Sequence, residues 1–376
     1  ETEHGKPIAV KFCGTLRPEQ KKAFLILKQN RYGILAAATA FGKTIIAAKI
    51  ISERKVNTLI LVHRQQLLEQ WRERLSTYFD IPSKSIGIIG GGKNKPTGNI
   101  DIAMLQSIAK PAAQIQIAQY GQVIVDECHH ISAFSFEKVM KQIRANYVLG
   151  LTATPNRKDG HHPIILMQCG PILHRVDDKS CIKASKMQHR ICIRNTTFTQ
   201  SHTETTPKIS DLYKELVNCE MRNEQIFNDV IMALKEGRIP LLLTQRIAHL
   251  DWFATKLKSC VEHLFILRGG MKKSEREEIL FKLASLPDGT QRLILATGSY
   301  IGEGFDDPKL DTLFLTMPIS WHGTLQQYVG RLHRKHENKK DVVVYDYVDI
   351  ESPLFYKMYQ KRLKKYRTMG YDTVTQ

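Results

Sequence analysis

The sequence lacks the cysteine patterns and the long apolar runs that mark several large classes of protein. Its seven cysteines are scattered and are never spaced as CxxC, which argues against a zinc module and against a disulfide framework. Reduced thiols fit a cytoplasmic protein, and we expect the cytoplasm of a prokaryotic or viral system, with the nucleus as the alternative in a eukaryote. No apolar run approaches the roughly 20 residues of a membrane span, so we expect no membrane partner.

The sequence has a modest aromatic content and lacks an initiating methionine and a nuclease motif. Aromatic side chains make up 8% of the chain, so the composition does not indicate a platform for base stacking. The chain starts at Glu1, and no signal-peptide core follows. We expect either a fragment of a longer polypeptide with further domains or a processed protein. No PD…ExK pattern is evident, so any cutting of nucleic acid is expected to reside elsewhere.

The excess of positive charge is the strongest compositional signal. Lys and Arg number 55 against 37 Asp and Glu, which gives a net charge of +18 and a pI near 9.5. Such an excess favours a polyanionic partner, and nucleic acid is the usual one. The alternative is a basic surface that serves solubility.

Short apolar runs alternate with helical patterns along all 376 residues. The runs are continuously apolar, as in parallel strands that are covered on both faces. This pattern predicts two α/β domains, residues 1–185 and 186–376, each a mainly parallel sheet flanked by helices. The predicted strands lie near residues 33–37, 58–62, 86–89, 101–104, 123–126, 147–151, 190–194, 241–244, 264–267, 292–296, 312–316 and 342–347. The predicted helices include residues 65–78, 222–236, 274–283 and 355–366.

The segment Ala37–Thr44 has the composition and setting of a phosphate-binding loop. It follows a predicted strand and precedes a predicted helix, so its amides and the helix N-terminus would face phosphate groups. Lys43 would reach the β- and γ-phosphate oxygens, and Thr44 would bind Mg²⁺. The sequence therefore predicts a nucleoside triphosphate and Mg²⁺ at this loop. The predicted loop contacts are Thr39, Ala40, Phe41, Gly42, Lys43 and Thr44.

Two adjacent carboxylates, Asp126 and Glu127, end a predicted buried strand. At the edge of a parallel sheet such acids can meet a metal ion and a water beside a phosphate. We expect Asp126 to hold Mg²⁺ and Glu127 to orient and deprotonate the attacking water. The alternative, two acids that merely end a strand, is disfavoured by the loop at Lys43.

In the second half, Arg331 and Arg334 are three residues apart on a predicted helix. Residues three apart share a helical face, so both guanidinium groups would suit a γ-phosphate and the charge of its transition state. That role requires the second domain to close on the first.

These blocks, taken in order, resemble the core of a superfamily 2 helicase of the DExH type. Ala37–Thr44 resembles motif I, although Ala40 stands where the motif normally has glycine, and Asp126–His129 resembles motif II. The remaining similarities are Leu16–Gln20 with the adenine-reading Q-type motif, Leu151–Pro155 with motif III, Ala296–Asp306 with motif V and Gln327–Arg334 with motif VI.

The resemblance implies two tandem RecA-like domains, ATP as the nucleotide and Mg²⁺ as its metal. It adds to the predicted site four nucleotide contacts and one catalytic amide, which are Arg17, Gln20, Gly304, Asp306 and Gln327. It also implies three residues that couple hydrolysis to strand movement, which are Thr152, Thr154 and His129.

Within the superfamily, the chain is similar to the XPB-like and type III restriction-like group, which acts mainly on DNA. This similarity rests on segments such as Leu61–Arg64, Gln70-Trp71 and Gly269–Lys273. It implies a DNA helicase that moves 3′ to 5′ and whose motor core works as a monomer. Family geometry suggests six nucleic-acid contacts, which are Arg64, Gln106, Ser107, Arg246, Gly269 and Thr297.

Three other functions stay open at this stage. The first is a motor that moves along duplex DNA without separating the strands, as in a restriction or remodelling complex. The second is an RNA helicase or RNA-sensing ATPase, because DECH acids also occur there. The third is a non-catalytic binding module, which the intact Lys43, Glu127 and Arg331 disfavour. The basic segment Phe355–Tyr366 fits either a solvated face of a packed helix or a direct contact to nucleic acid.

Overall fold

The structure, a computed structural model, divides the chain into two units, Glu1–Asp177 and Asp178–Gln376. The predicted boundary between residues 185 and 186 stays a prediction, because residues 177–186 are not described. The described residues are 3–38, 41–108, 117, 119–128, 133–153, 162–176, 187–201, 208–298, 307–319, 322–334, 336–337 and 339–375.

The first unit is built on an eight-stranded sheet in the order β4-β3-β5-β2-β6-β7-β1-β8. All neighbours are parallel except β3 and β4. The elements are α1 (Pro18–Lys28), β1 (Tyr32–Ala36), α2 (Lys43–Arg54), β2 (Thr58–Val62), α3 (Gln65–Phe79), β3 (Gly87–Gly90), β4 (Lys93–Lys95), β5 (Ile100–Met104), α4 (Leu105–Ile108), β6 (Gln122–Val125), α5 (Ala133–Met140), β7 (Tyr147–Thr152), α6 (His162–Cys169) and β8 (Ile172–Arg175).

The second unit is built on a seven-stranded sheet in the order β11-β12-β10-β13-β14-β9-β15, in which every pairing is parallel. The elements are β9 (Gln188–Asn195), α7 (Ile209–Val217), α8 (Glu220–Lys235), β10 (Pro240–Thr244), α9 (Ile247–Leu257), β11 (His263–Leu267), α10 (Lys273–Ser285), β12 (Arg292–Thr297), β13 (Thr312–Leu315), α11 (His322–Gly330), β14 (Asp341–Val348), α12 (Pro353–Met369) and β15 (Asp372–Thr375).

Both sheets confirm the prediction of two mainly parallel α/β layers. Most of the continuous apolar runs are buried, as in β2, whose five residues are all buried, while the edge strand β11 is partly exposed. The strand predicted near residues 190–194 pairs with β14 and therefore belongs to the second sheet, as expected. The sequence did not indicate β4, β8 or β15, because these short edge strands are polar or half exposed.

The second sheet has a separate hydrophobic core on each face, because neighbouring residues of a strand point to opposite sides. Leu241 and Leu243 of β10 belong to the cluster that contains Tyr366 and Met369 of α12. Leu242 belongs to the other cluster, with residues of α8 and α9. Helix α12 therefore covers one face of the sheet, and α8 and α9 cover the other.

Among the described residues, no helix is both long enough and apolar enough to cross a membrane.

Candidate active site

Three neighbouring strands of the first sheet, β6, β7 and β1, bring the predicted motifs to one edge. The amide of Ala37 donates to the carbonyl of Thr152 at 2.9 Å, and the amide of Cys128 donates to the carbonyl of Leu151 at 3.1 Å. The carboxyl ends of parallel strands meet at the same edge. The start of the phosphate loop, the acid pair and Thr152 therefore lie side by side.

The end of the loop requires glycine. Gly42 precedes helix α2 with φ +88°, which side chains disfavour. A Cβ atom there would lie 2.6 Å from Nε2 of Gln20. That amide donates to the carbonyl of Phe41 at 2.7 Å, and Nη2 of Arg17 donates to the same carbonyl at 2.6 Å. The two predicted adenine contacts are therefore fixed against the phosphate loop.

Lys43 is buried at the start of α2 and faces the acid pair. Its Nζ lies 3.2 Å from Oε1 of Glu127 and donates to the carbonyl of Ala37 at 3.1 Å. A buried ammonium group with one carboxylate and one carbonyl beside it is a fixed positive charge at the mouth of the loop.

Glu127 adopts a left-handed backbone conformation. Its φ of +45° lies in the left-handed region, which costs a non-glycine residue roughly 1–2 kcal/mol. The carboxylate accepts a hydrogen bond from the amide of Ala153 at 3.3 Å. Such strain persists only where the surrounding structure enforces it, and it clusters at functional sites.

Asp126 is held from two sides. The indole Nε1 of Trp71 donates to Oδ2 at 2.7 Å, and the amide of Glu127 donates to Oδ1 at 3.0 Å. Burial, with the neighbouring charge of Glu127, raises the pKa of Asp126 to about 6. No local pattern predicts that Trp71 orients this carboxylate, since the two residues are 55 positions apart in the chain.

The residues present fit a bound Mg²⁺. The hydroxyl of Thr44 and the carboxylate of Asp126 are the hard oxygen ligands that Mg²⁺ prefers, with phosphate and water as the others. A divalent cation would also offset the charge that burial disfavours on Asp126. Nη1 of Arg74 donates to the Thr44 hydroxyl at 3.3 Å. No group of three or more His, Cys, Asp or Glu suits a metal ion in the described ranges.

Cys128 is not a candidate nucleophile. Its thiol is buried, and burial raises its pKa well above the ordinary value. The thiolate is the reactive form, so this cysteine acts as a small apolar residue of the core.

Six predicted site residues lie outside the described ranges, so their roles stay predictions. They are Thr39, Ala40, His129, Thr154, Gly304 and Asp306.

The prediction that Arg331 and Arg334 share a helical face is wrong. Helix α11 ends at Gly330, and the amide of Arg331 bonds to the carbonyl three residues earlier, as in a tight turn. The buried ammonium of Lys339 donates to the carbonyls of Leu332 and Arg334 at 2.9 and 2.8 Å. Those carbonyls face Lys339 instead of continuing the helix. The sequence did not indicate this contact.

The rest of the predicted motif VI is packed inward. Gln327 and Arg331 are buried. Nε2 of His333 lies 2.8 Å from the hydroxyl of Tyr371 on the edge strand, and burial lowers the pKa of His333 to about 3. The arginine-bearing turn is therefore supported by Lys339 on one side and by an uncharged histidine on the other.

In the first unit, the candidate nucleic-acid contacts lie at the carboxyl ends of adjacent strands. Arg64 follows β2 and begins helix α3. Nε2 of Gln106, just beyond β5, donates to the carbonyl of His63 at 3.0 Å. Ser107 is next to Gln106 in the same short helix.

In the second unit, the corresponding candidates also follow neighbouring strands. The amide of Gly269 donates to Oγ1 of Thr297 at 3.3 Å, which joins the ends of β11 and β12. Arg246 follows β10, and its guanidinium lies 5.4 Å from the centre of the Tyr213 ring. In each unit, the candidate residues therefore lie along one edge of the sheet.

A parallel sheet that gathers a phosphate loop, a buried lysine and two acids at its carboxyl edge, followed by a second parallel sheet, defines a tandem RecA-like nucleotide hydrolase.

Family comparisons agree with this class. The family "Type III restriction enzyme, res subunit" matches residues 14–157, and "Helicase conserved C-terminal domain" matches residues 222–336. The DNA 3'-5' translocase XPB2 of Sulfurisphaera tokodaii is 27% identical over 356 residues, which cover 85% of this chain and 78% of that protein. "Putative ATP-dependent RNA helicase L396" of Acanthamoeba polyphaga mimivirus is 26% identical over 380 residues, which cover 96% of this chain and 69% of the relative.

Solved structures share the fold. The ATP-dependent Type ISP restriction-modification enzyme LlaBIII bound to DNA is 16% identical, with a TM-score of 0.68 over 98% of this chain and 32% of that enzyme. Saccharomyces cerevisiae Dbp5 bound to RNA and ADP BeF3 is 12% identical, with a TM-score of 0.67 over 95% of this chain and 88% of that protein.

The two family matches and these relatives identify the chain as a superfamily 2 helicase core that is similar to the XPB-like and restriction-enzyme-like group. It is therefore an ATP-dependent helicase or translocase that acts on nucleic acid. The predictions of a superfamily 2 helicase core and of an ATP-dependent motor on nucleic acid are confirmed. The direction of movement and the choice of DNA stay predictions.

Proposed function

We propose that this chain is a DNA motor that moves 3′ to 5′ and draws its energy from ATP hydrolysis at Lys43, Asp126 and Glu127. The observation that carries the hydrolytic part is the ion pair at 3.2 Å between Lys43 and Glu127, next to the buried Asp126. The choice of DNA and of direction is supported by the archaeal relative, whose name describes a DNA 3'-5' translocase.

In this proposal, each side chain of the site in the first unit has a separate role. Lys43 stabilises the negative charge on the phosphate oxygens, and Glu127 orients a water and takes its proton. Asp126 and Thr44 would hold Mg²⁺, which when bound neutralises phosphate charge. Adenine binds at Arg17 and Gln20, which the carbonyl of Phe41 fixes beside the loop.

Arg331 and Arg334 complete the proposed chemistry from the second unit. A guanidinium group that meets the γ-phosphate stabilises the charge of the transition state. The turn that Lys339 supports holds the backbone of both arginines. Gln327 lies in the preceding helix and is proposed as a further contact to the nucleotide.

DNA is proposed to follow the sheet edges that carry Arg64, Gln106 and Ser107 in the first unit and Arg246, Gly269 and Thr297 in the second. Hydroxyl, amide and guanidinium groups there suit phosphate oxygens and carry no sequence information. Binding would therefore be independent of sequence and would weaken with salt.

An RNA motor is the second candidate. It is supported by the mimivirus relative, whose name describes an ATP-dependent RNA helicase. The two candidates differ in the polymer that stimulates ATP turnover.

Streptavidin displacement tests direction and substrate together. Single-stranded DNA with biotin at the 5′ end should release streptavidin in the presence of ATP, while DNA with biotin at the 3′ end should not. The Glu127→Gln chain is the control for ATP dependence. Release from the 3′ end alone would refute the proposed direction, and release only from RNA would favour the second candidate.

Strand separation requires its own assay. A partial duplex with a 3′ single-stranded tail should be unwound, whereas displacement of a third strand from a triplex without unwinding would identify a duplex translocase.

A further inference from the structure

The outer face of helix α12 carries charge of one sign. The helix contains six Lys and Arg residues and no Asp or Glu. Arg362 points inward, and its guanidinium pairs with Asp346 at 2.8 and 2.7 Å. Lys357, Lys361 and Lys364 are exposed. These three lysines, here called the basic stripe, are spaced by four and three residues and therefore share one face.

The orientation of this face is fixed by the packing of the opposite side. Phe355 stacks on Tyr213 with ring centres 5.5 Å apart and planes 16° apart. Tyr366 and Met369 lie in the core of the second sheet. Most of the apolar side of α12 is buried, and its exposed apolar residues are Leu354 and Tyr356 near the first turn. The helix therefore offers little apolar surface for insertion into a lipid surface. The basic stripe is held outward.

An ordinary solvated helix of this chain looks different. Helix α10 mixes both signs on its surface, and Lys282 pairs with Glu278 at 2.7 Å across one helical turn. Within the described part of the chain, none of the three stripe lysines forms an ion pair. Like charges three or four residues apart repel one another. A polyanion beside α12 would be attracted to the three lysines and would offset the repulsion among them.

The spacing of the basic stripe suits a phosphate backbone. At 1.5 Å per residue, Lys357 to Lys364 spans about 10 Å along the helix axis. A DNA duplex carries one charge per about 1.7 Å, so each ammonium group can meet a different phosphate.

We propose that the basic stripe of α12 binds the phosphate backbone of nucleic acid, independently of sequence, as a surface separate from the helicase motifs. This inference rests on the proposed nucleic-acid motor function. The surface would hold the polymer to the second unit without taking part in ATP hydrolysis.

The test compares two triple variants with the same change of charge. The stripe variant replaces Lys357, Lys361 and Lys364 with Gln. The control variant replaces Lys235, Lys258 and Lys340, which are also exposed, with Gln. Lys235 ends α8 and Lys258 follows α9, on the opposite face of the sheet. Equal melting temperatures would show that both variants fold.

Affinity for a mixed-sequence DNA duplex is measured by fluorescence anisotropy between about 50 mM and about 200 mM salt. The stripe variant should bind at least about tenfold more weakly at the lowest salt, and the slope of log affinity against log salt should fall by about 2 to 3. The control variant should change much less. Replacing the same three lysines with Arg should preserve binding, and basal ATP turnover should be unchanged in every variant.

Equal losses in the stripe and control variants would overturn the inference and leave an ordinary solvated face. The proposed function fails separately, because it requires that nucleic acid stimulates ATP turnover of the unchanged chain. Stimulation of that chain together with an unaffected stripe variant would refute the stripe alone.

Discussion

The two units share one sheet architecture but treat buried charge differently. In the first unit, the buried Asp126 receives two hydrogen bonds, yet its pKa is raised to about 6 because burial and Glu127 disfavour its charge. In the second unit, the guanidinium of Arg362 donates two hydrogen bonds to Asp346, and both side chains are buried.

A second buried pair shows the same pattern. Nε of Arg222 donates to Asp349 at 2.7 Å, and its Nη1 donates to the carbonyl of Thr316 at 2.9 Å. A compensated pair holds loops at the sheet edge, whereas an incompletely compensated carboxylate is suited to bind a cation. This difference supports the proposal that the acid pair of the first unit carries out hydrolysis, whereas the two compensated ion pairs of the second unit have a structural role.

Arg331→Ala is expected to have the largest effect of these variants, and it tests whether the second unit contributes to ATP turnover. ATP turnover should fall by roughly 10³–10⁵, the range known for arginine fingers. ATP affinity should change far less, since the phosphate loop is in the first unit. Arg367→Ala, an exposed arginine of α12, is the control. Turnover within about tenfold of the unchanged chain would contradict the proposed role.

Glu127→Gln should lower ATP turnover by roughly 10²–10⁴, because a carboxamide cannot accept the proton of the attacking water. The substitution keeps the shape of the side chain, so ATP binding should persist. Glu53→Gln removes a half-exposed carboxylate that pairs with Lys28 and Lys49 and should leave turnover unchanged. Equal turnover in the two variants would remove Glu127 as the base.

Arg362→Met should destabilise the second unit by about 3–5 kcal/mol, because Asp346 is left buried and uncompensated. Denaturant unfolding measures this change. The double variant Arg362→Met, Asp346→Leu should recover most of the loss, since both charges are then gone. Failure of the second substitution to restore stability would show that the ion pair is not the cause.

The second unit should lose stability in mild acid. Burial lowers the pKa of His249 and of His333 to about 3, from an ordinary value near 6.5. Each is held neutral in the fold, so stability is full above pH 6.5 and falls as the pH drops toward 3. At 1.36 kcal/mol per pH unit, each histidine should cost about 2 kcal/mol by about pH 5. Thermal unfolding of His249→Gln against pH should show a shallower slope, and an unchanged slope would contradict this origin.

The sequence was sufficient for the parts of the site that lie on one short segment. Gly42, Lys43 and Thr44 belong to a local loop pattern, and Asp126 and Glu127 follow a continuous apolar strand. Periodicity and local motifs encode such features directly. The tandem parallel sheets followed for the same reason.

The parts that the sequence did not predict depend on contacts between distant residues. The ammonium of Lys339 donates to carbonyls of the turn after Gly330, and Trp71 of helix α3 donates to Asp126, which follows strand β6. The partner of Arg362 is likewise visible only in the fold. Local patterns carry no information about which buried donor will meet which acceptor.

The most direct test of coupling between ATP hydrolysis and nucleic acid is the ATP turnover of the unchanged chain. It is measured first without polymer and then with single-stranded DNA, duplex DNA and RNA. We expect low ATP turnover without polymer, strong stimulation by DNA and weaker stimulation by RNA. The Glu127→Gln chain should lose both the turnover and its stimulation. Equal turnover with and without every polymer would contradict a motor that couples the acid pair to nucleic acid.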